Sequence, residues 1–270
     1  AIGGAGCEAP LCFSAPSAAG STASVSGSAA LATDEAAAPD FHDEKRFSHF
    51  AWAPIAEEEA AHALQHVGLA YSSFSKIRVR GKDSAAFLGR ATTAPLPALR
   101  KKEDCGPEDR PCRLTYSTTP LGRVQTEFTL CRTDADGQEW YLVGSRDHVR
   151  QDVAWLRQCV HSGEDVAVED ITDEVCVLHV CGPDSGRLLT AVEPRLSSLG
   201  FMRARPVRDF AGEQGLDIQA FRVSFTGELG FELHVPAADG PRLHAALWNH
   251  QSARELELRH IGSANINSLR

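Results

Sequence analysis

The sequence predicts an α+β fold built as two related lobes with mainly antiparallel sheets. Three observations carry this. The order strand, helix, strands, helix occurs twice along the chain. Two tight turns, Asp134-Ala135-Asp136-Gly137 and Thr226-Gly227-Glu228-Leu229-Gly230, each join strand-like runs. No apolar run approaches the roughly 20 residues that a membrane helix needs.

Residues 1 to about 45 are rich in Ala, Ser and Gly and lack a periodic apolar pattern. Such a segment buries too little surface to offset its ordering entropy, so it reads as disordered. The folded part is expected over 46–270, with lobes at about 56–163 and 164–270. In the first lobe, residues 56–67 combine good helix formers with an acidic first turn, and Gly68 stands where a helix would stop. Residues 74–81 alternate apolar and polar, as a half-buried strand does. A helix opens at 82–88, with Asp83 or Ser84 as its cap. Several prolines make 92–111 an irregular excursion. Strand character returns at 113–116, and Pro120-Leu121-Gly122-Arg123 is a turn. Residues 124–130 and 140–144 read as paired strands. An amphipathic helix at 148–160 puts Val149, Val153, Leu156 and Val160 on one face.

The second lobe begins near Val166. Residues 175–180 form a strand, and Gly182-Pro183-Asp184-Ser185 starts a helix through Leu188, Leu189 and Val192. Strands follow at 218–224 and 231–235, then a helix at 242–250. The chain begins at Ala1, as a processed protein or a fragment does, and ends at Arg270 within a helical pattern, so it is expected to be truncated there.

Composition removes several function classes. The net charge is -9 and the pI about 5.7, which disfavours nucleic acid and anionic membrane as partners. The eight cysteines contain no CxxC pair, so no metal site is read from their spacing. Cys131, Cys176 and Cys181 lie in apolar stretches and read as buried thiols, which points to a reducing compartment. Cys105 and Cys112 flank a polar, Pro-containing loop, where free thiols are expected over a disulfide. No Lys or Arg precedes Lys45, so the leading segment does not resemble a transit peptide.

Three stretches carry candidate chemistry. In the first, a turn delivers Gln125, Thr126 and Glu127 into the start of a strand. Glu127 is the candidate for a catalytic or ligand contact there, and a solvated strand residue is the plainer alternative. In the second, Arg222 to Pro236, Gly227 and Gly230 shape a hairpin turn, and Glu232 sits among Phe231, Leu233 and Val235. A buried carboxylate needs a partner. A flat heterocycle bearing an N–H and an amino group supplies paired donors, and so does the neighbouring Arg222. The third stretch, 261–270, is a loop entering a helix.

The segment Thr226-Gly227-Glu228-Leu229-Gly230-Phe231-Glu232-Leu233-His234-Val235-Pro236 resembles the signature hairpin of the aminomethyltransferase folate-binding family. That family includes the glycine-cleavage T-protein and the C-terminal regions of dimethylglycine and sarcosine dehydrogenases. Tyr71-Ser72-Ser73-Phe74-Ser75-Lys76 resembles the family's first strand entry. Gly122-Arg123-Val124 with Glu127, Thr129 and Leu130 is most similar to the dimethylglycine dehydrogenase branch. Asp170-Ile171-Thr172-Asp173-Glu174, Gly182-Pro183 and Asn267-Ser268-Leu269-Arg270 also fit that branch.

The resemblance implies two ferredoxin-like lobes of a three-lobed fold, with the C-terminal lobe missing. A chain lacking that lobe is expected to be marginally stable or oligomeric and to bind folate weakly. The resemblance also implies tetrahydrofolate as cofactor and a one-carbon donor as co-substrate. Glu232 becomes the pterin anchor and Phe225 the stacking surface, with Gln125, Thr126, Glu127, Leu233 and His234 completing the site. Implied partners are a flavin oxidoreductase domain or a lipoyl carrier protein. The absence of a GxGxxG at a strand–helix junction near the start predicts no flavin in this chain, which should purify colourless. A mitochondrial location follows from the resemblance alone, and the leading segment leaves a cytoplasmic one open. Three positions depart from the T-protein pattern. Thr126 and Glu127 stand where it has paired aspartates, Phe225 where it has a tyrosine, and Ile266 where it has an arginine. Thr126 cannot relay a proton as a carboxylate does.

Overall fold

The computed structural model describes residues 54–97, 108–134 and 136–262. The disordered reading of 1–45, Cys105 and the helix expected toward Arg270 lie outside these residues, while Cys112 is a free, buried thiol. In chain order the elements are α1 (Pro54–Ala63), β1 (Val67–Tyr71), β2 (Ser75–Arg80), α2 (Ser84–Ala91), β3 (Arg110–Thr118), β4 (Val124–Arg132) and β5 (Glu139–Gly144). Next come α3 (Val149–Gln158), β6 (Ala167–Asp170), β7 (Val175–Cys181), α4 (Ser185–Val192), β8 (Arg203–Val207) and β9 (Ile218–Arg222). The last are β10 (Gly230–Pro236), α5 (Gly240–Trp248), α6 (Gln251–Glu255) and β11 (Leu258–His260).

The strands form one 11-stranded sheet in the order β11-β1-β7-β10-β9-β8-β3-β4-β5-β2-β6. It divides into two halves at the short β3–β8 pairing, Arg110 with Ala204 and Pro111 with Arg203. In the first half, β6-β2-β5-β4 reproduces the 4-1-3-2 order of a ferredoxin-like βαββαβ unit, with β3 added outside β4. In the second, β1-β7-β10-β9 reproduces the same order, but its fourth place is filled by β1 from the start of the chain. β11 then lies parallel to β1 on the outside. The sheet therefore does not divide at residue 163. β6, after that point, completes the first half, and β1, before it, completes the second.

Helices α2 and α3 pack on one face of the first half and α4 and α5 on one face of the second, whereas Ala63 of α1 packs with Ala70 and Cys181 on the second half's other face. Ile77, Phe87, Phe128, Leu142 and Leu156 centre the first core. Leu69, Val180, Leu188, Phe231 and Leu233 belong to the second. A third cluster draws on both halves, with Tyr141 and Cys131 from the first and Val177, Phe221 and Val223 from the second. The two halves also share a strand-to-helix corner. A Cβ on Gly81 would lie 2.0 Å from the Asp165 carbonyl, and one on Gly182 would lie 2.2 Å from the His66 carbonyl. Both residues have positive φ, 128° and 105°, so each corner admits only glycine.

Several local expectations need correction. The helix expected over 56–67 ends at Ala63, and Val67 and Gly68 lie in a strand. Gly68 is not a helix stop. It is a close-packed strand residue whose Cβ would sit 2.7 Å from Ile261 Cδ1. Asp83 stands at the N-cap of α2, as expected, but its side chain makes no capping hydrogen bond. The Asp83 carboxylate accepts from the Asp165 N–H at 2.9 Å, and Ser84 Oγ donates to the Gly137 carbonyl. Lys76, read as a polar position on a half-buried strand, is fully buried.

Candidate functional site

Where the two halves meet, a cavity of about 530 Å³ opens beside the third cluster, against Val143, Phe221 and Val223. The first half contributes Gln125, Thr126 and Glu127 from the start of β4, with His148 just before α3. The second contributes Phe221 and Val223, Phe225 from the loop after β9, and Glu232 from β10. Phe74, just before β2, packs against Phe225 with ring centroids 5.0 Å apart. The pair makes an aromatic wall on which a flat ring can stack.

The deepest polar group is Glu232, only 5% exposed. On β10, Gly230, Glu232 and His234 point to the cavity side, while Phe231, Leu233 and Val235 enter the second core. His234 Nε2 lies 3.0 Å from Glu232 Oε2, and its Nδ1 lies 2.9 Å from the Tyr141 hydroxyl. One assignment of protons satisfies all three groups. Tyr141 donates to Nδ1, and Nε2–H donates to the carboxylate. Burial raises the Tyr141 phenol well above its usual range, which keeps that proton in place. Burial also holds His234 low, so the ring is neutral and needs no second proton. Burial opposes charge on Glu232 too, but the hydrogen bond from His234, the largest opposing effect, helps hold the carboxyl below its ordinary value. An ionised carboxylate thus sits beside the cavity with one oxygen committed to His234 and accepting capacity left over.

Lys76 contributes to this field from below. Its Nζ is buried without a hydrogen-bond partner, and burial lowers its pKa against the attraction of Glu232. On α3, Asp152 is 1% exposed, and burial raises its carboxyl above the usual value despite smaller contributions from Thr126 and His148.

A family model described as the GCVT N-terminal domain matches residues 24–270. The chain belongs to the GCVT N-terminal domain family. Among curated relatives it is 27% identical over 224 residues to mitochondrial dimethylglycine dehydrogenase of Rattus norvegicus, covering 81% of this chain and 24% of that protein. It is 30% identical over 179 residues to an aminomethyltransferase of Geobacillus kaustophilus, covering 66% of this chain and 44% of that one. The chain thus spans about a quarter of the dimethylglycine dehydrogenases and about half of the aminomethyltransferases it matches. The solved glycine cleavage system aminomethyltransferase T from Bartonella henselae shares the fold, with a TM-score of 0.61 at 22% identity, over 80% of this chain and 53% of that one. Among the described residues no helix is long and apolar enough to cross a membrane.

Within this GCVT domain the structure brings Gln125, Thr126, Glu127, Phe225 and Glu232 to one cavity. Leu233 does not reach it. Strand alternation turns that side chain to the opposite face, where it is fully buried in the second core. His234 stands behind Glu232 as its hydrogen-bond partner rather than on the cavity wall. The alternative partner, Arg222, is engaged elsewhere, donating to the Leu199 carbonyl at 3.0 Å. Sequence reasoning missed Tyr141, whose run Trp140-Tyr141-Leu142-Val143 reads simply as a buried strand. It also missed Phe74 and His148, which open the strand read at 74–81 and the helix read at 148–160 without any mark of a site role.

Proposed function

We propose that this GCVT domain is a tetrahydrofolate-binding module of one-carbon metabolism. It would capture a one-carbon unit from a methylamine or aminomethyl donor to give 5,10-methylenetetrahydrofolate. One observation carries the reading. An ionised, buried Glu232 with spare accepting capacity borders a cavity whose wall is the Phe74–Phe225 pair. A pterin offers the matching chemistry, a flat ring with an N–H and an amino group on one edge. Charge-assisted hydrogen bonds in a water-poor site are the strong ones.

When bound, tetrahydrofolate supplies the nitrogens that take up the one-carbon unit. The chain's own contribution is orientation. Glu232 fixes the ring edge, Phe225 its face, and the cavity keeps water from the reactive carbon, so that formaldehyde or an iminium is intercepted rather than lost. Gln125 and Glu127 line the more open side. Thr126 offers no carboxylate for proton transfer. That departure favours dimethylglycine dehydrogenase-like capture over a glycine-cleavage-type aminomethyl transfer with a lipoyl carrier. It also supports a second reading, a folate-binding or assembly module without catalysis. A flavin oxidoreductase domain is the partner that the dimethylglycine dehydrogenase relatives suggest, and their names carry the proposal of a mitochondrial setting.

The test is titration of the whole chain with tetrahydrofolate, followed by formaldehyde. Saturable binding of one tetrahydrofolate per chain, weakened in Phe225→Ala, supports the module. Faster formation of 5,10-methylenetetrahydrofolate than in free solution distinguishes capture from mere binding. Absence of any saturable tetrahydrofolate binding would overturn the proposal.

A further inference from the structure

We propose that His179, Cys181 and Glu228 form a divalent-metal site of the zinc-binding class, which ties the loop 224–229 to strand β7. His179 and Cys181 are two residues apart on β7, so both project to the same face, away from Leu178 and Val180 in the second core. Across the strand pair, Cys181 faces Gly230 and His179 faces Glu232. Gly230 leaves room for the imidazole, since a Cβ there would lie 3.3 Å from His179 Cε1. Glu228 comes from the tight turn at Gly227, whose φ is 102°. One ligand atom from each of the three residues lies within 4.8 Å of the others. Tetrahedral ligands about 2.0–2.3 Å from zinc lie closer together than this, so the site needs only a small contraction.

A second observation points independently to a ligand. His179 is 4% exposed, yet its Nε2 is buried with no hydrogen-bond partner. Buried polar atoms are nearly always bonded, and an unpartnered ring nitrogen on a histidine grouped with a thiol and a carboxylate is a donor atom a metal can use. One nitrogen, one sulfur and one oxygen make a borderline-soft donor set. Three protein ligands leave a fourth position open at the half-exposed lip formed by Glu228. On binding, the Cys181 S–H bond breaks and its proton passes to solvent as the sulfur–metal bond forms. His179 donates a ring-nitrogen lone pair, Glu228 its carboxylate, and no electron transfer occurs. Glu228 also accepts from the Thr226 hydroxyl, so the metal replaces one anchor of the loop with a firmer one.

A rival cluster, His62, His66 and Glu257, is more exposed and contains no orphaned atom, because His62 Nε2 bonds the Glu257 carbonyl at 2.7 Å. It serves as the internal control. The inference does not rest on folate binding, although Phe225 on the same loop connects the two.

The test uses the full chain, stripped with chelator and titrated with Zn²⁺, with Co²⁺ as an optical probe. The expected result is one Zn²⁺ per chain and a sulfur-to-cobalt charge-transfer band that Cys181→Ser abolishes. Glu228→Gln, at a half-exposed position where folding is safe, should weaken Zn²⁺ binding by about tenfold or more. His66→Ala should leave it unchanged. Three results would each overturn the proposal: no stoichiometric Zn²⁺, binding indifferent to both Cys181→Ser and Glu228→Gln, or binding lost in His66→Ala.

Discussion

The two halves of the sheet share a wiring diagram and a glycine corner but present different chemistry to the cavity between them. The first half offers Gln125 and Glu127, exposed at the start of β4. The second offers Glu232, buried and held by His234, with Tyr141 of the first half behind it. A carboxylate in water interacts weakly with a ligand, because water competes. The same group withdrawn from water and aimed by a fixed partner interacts strongly. Under the proposed reading, recognition is concentrated in the second half, and the first half supplies a wetter rim and one buried hydroxyl. The halves also differ in completeness. The first takes its fourth strand from the segment after α3, whereas the second borrows β1.

The largest expected effect tests that borrowing. Leu69 on β1 and Leu142 on β5 are 1% and 0% exposed, each in the core of its half. If β1 is integral to the second half, Leu69→Ala and Leu142→Ala should each cost about 2–5 kcal/mol in chemical denaturation. A loss below about 1 kcal/mol at Leu69 alone would make β1 an appendage and break the symmetry. A smaller effect tests the link between halves. Tyr141→Phe leaves His234 Nδ1 buried without a partner and should cost about 1–3 kcal/mol in a thermal melt. An unchanged melt would show that the hydroxyl does not hold the ring.

The smallest effect sharpens the contrast between buried and exposed charge. Burial works against the Glu169 carboxylate, but the Arg78 hydrogen bond and the charges of Arg78 and Arg80 outweigh it and lower its pKa. Its folded value lies below an unfolded value of about 4.3. Its contribution is thus fully present above that pH and is lost as pH falls through the folded value. Screening at this partly exposed site limits the difference between wild type and Glu169→Gln to at most about 1 kcal/mol at pH 7. The gap should close in acid. A gap that persists there would assign the effect to packing instead.

Much of this was legible because local pattern and tertiary role agree. The hairpin glycines, the amphipathic face of α3 and the β4–β5 pairing all emerge from periodicity. β1 was not legible, because Glu57 to Leu64 is strongly helical and the signal runs on into Val67, while the pairing that makes a strand there comes from β7, over a hundred residues away. β8 and β11, five and three residues long, carry too little pattern to stand out. At the cavity, Glu232 and Phe225 were singled out through the hairpin signature, and the structure places both on its lining. Tyr141, Phe74 and Lys76 gave no signal, since only the packing of the two halves brings an ordinary strand tyrosine against His234 or buries a strand lysine.

The central claim is that a buried carboxylate recognises the pterin edge of a folate. Calorimetric titration of wild type and Glu232→Gln with tetrahydrofolate tests it most directly. A folded Glu232→Gln chain should bind about 1.5–3 kcal/mol more weakly, the range for a hydrogen bond involving a charge, while Gln125→Ala on the wet rim should lose less than about 1 kcal/mol. Equal affinity of wild type and folded Glu232→Gln would contradict the account.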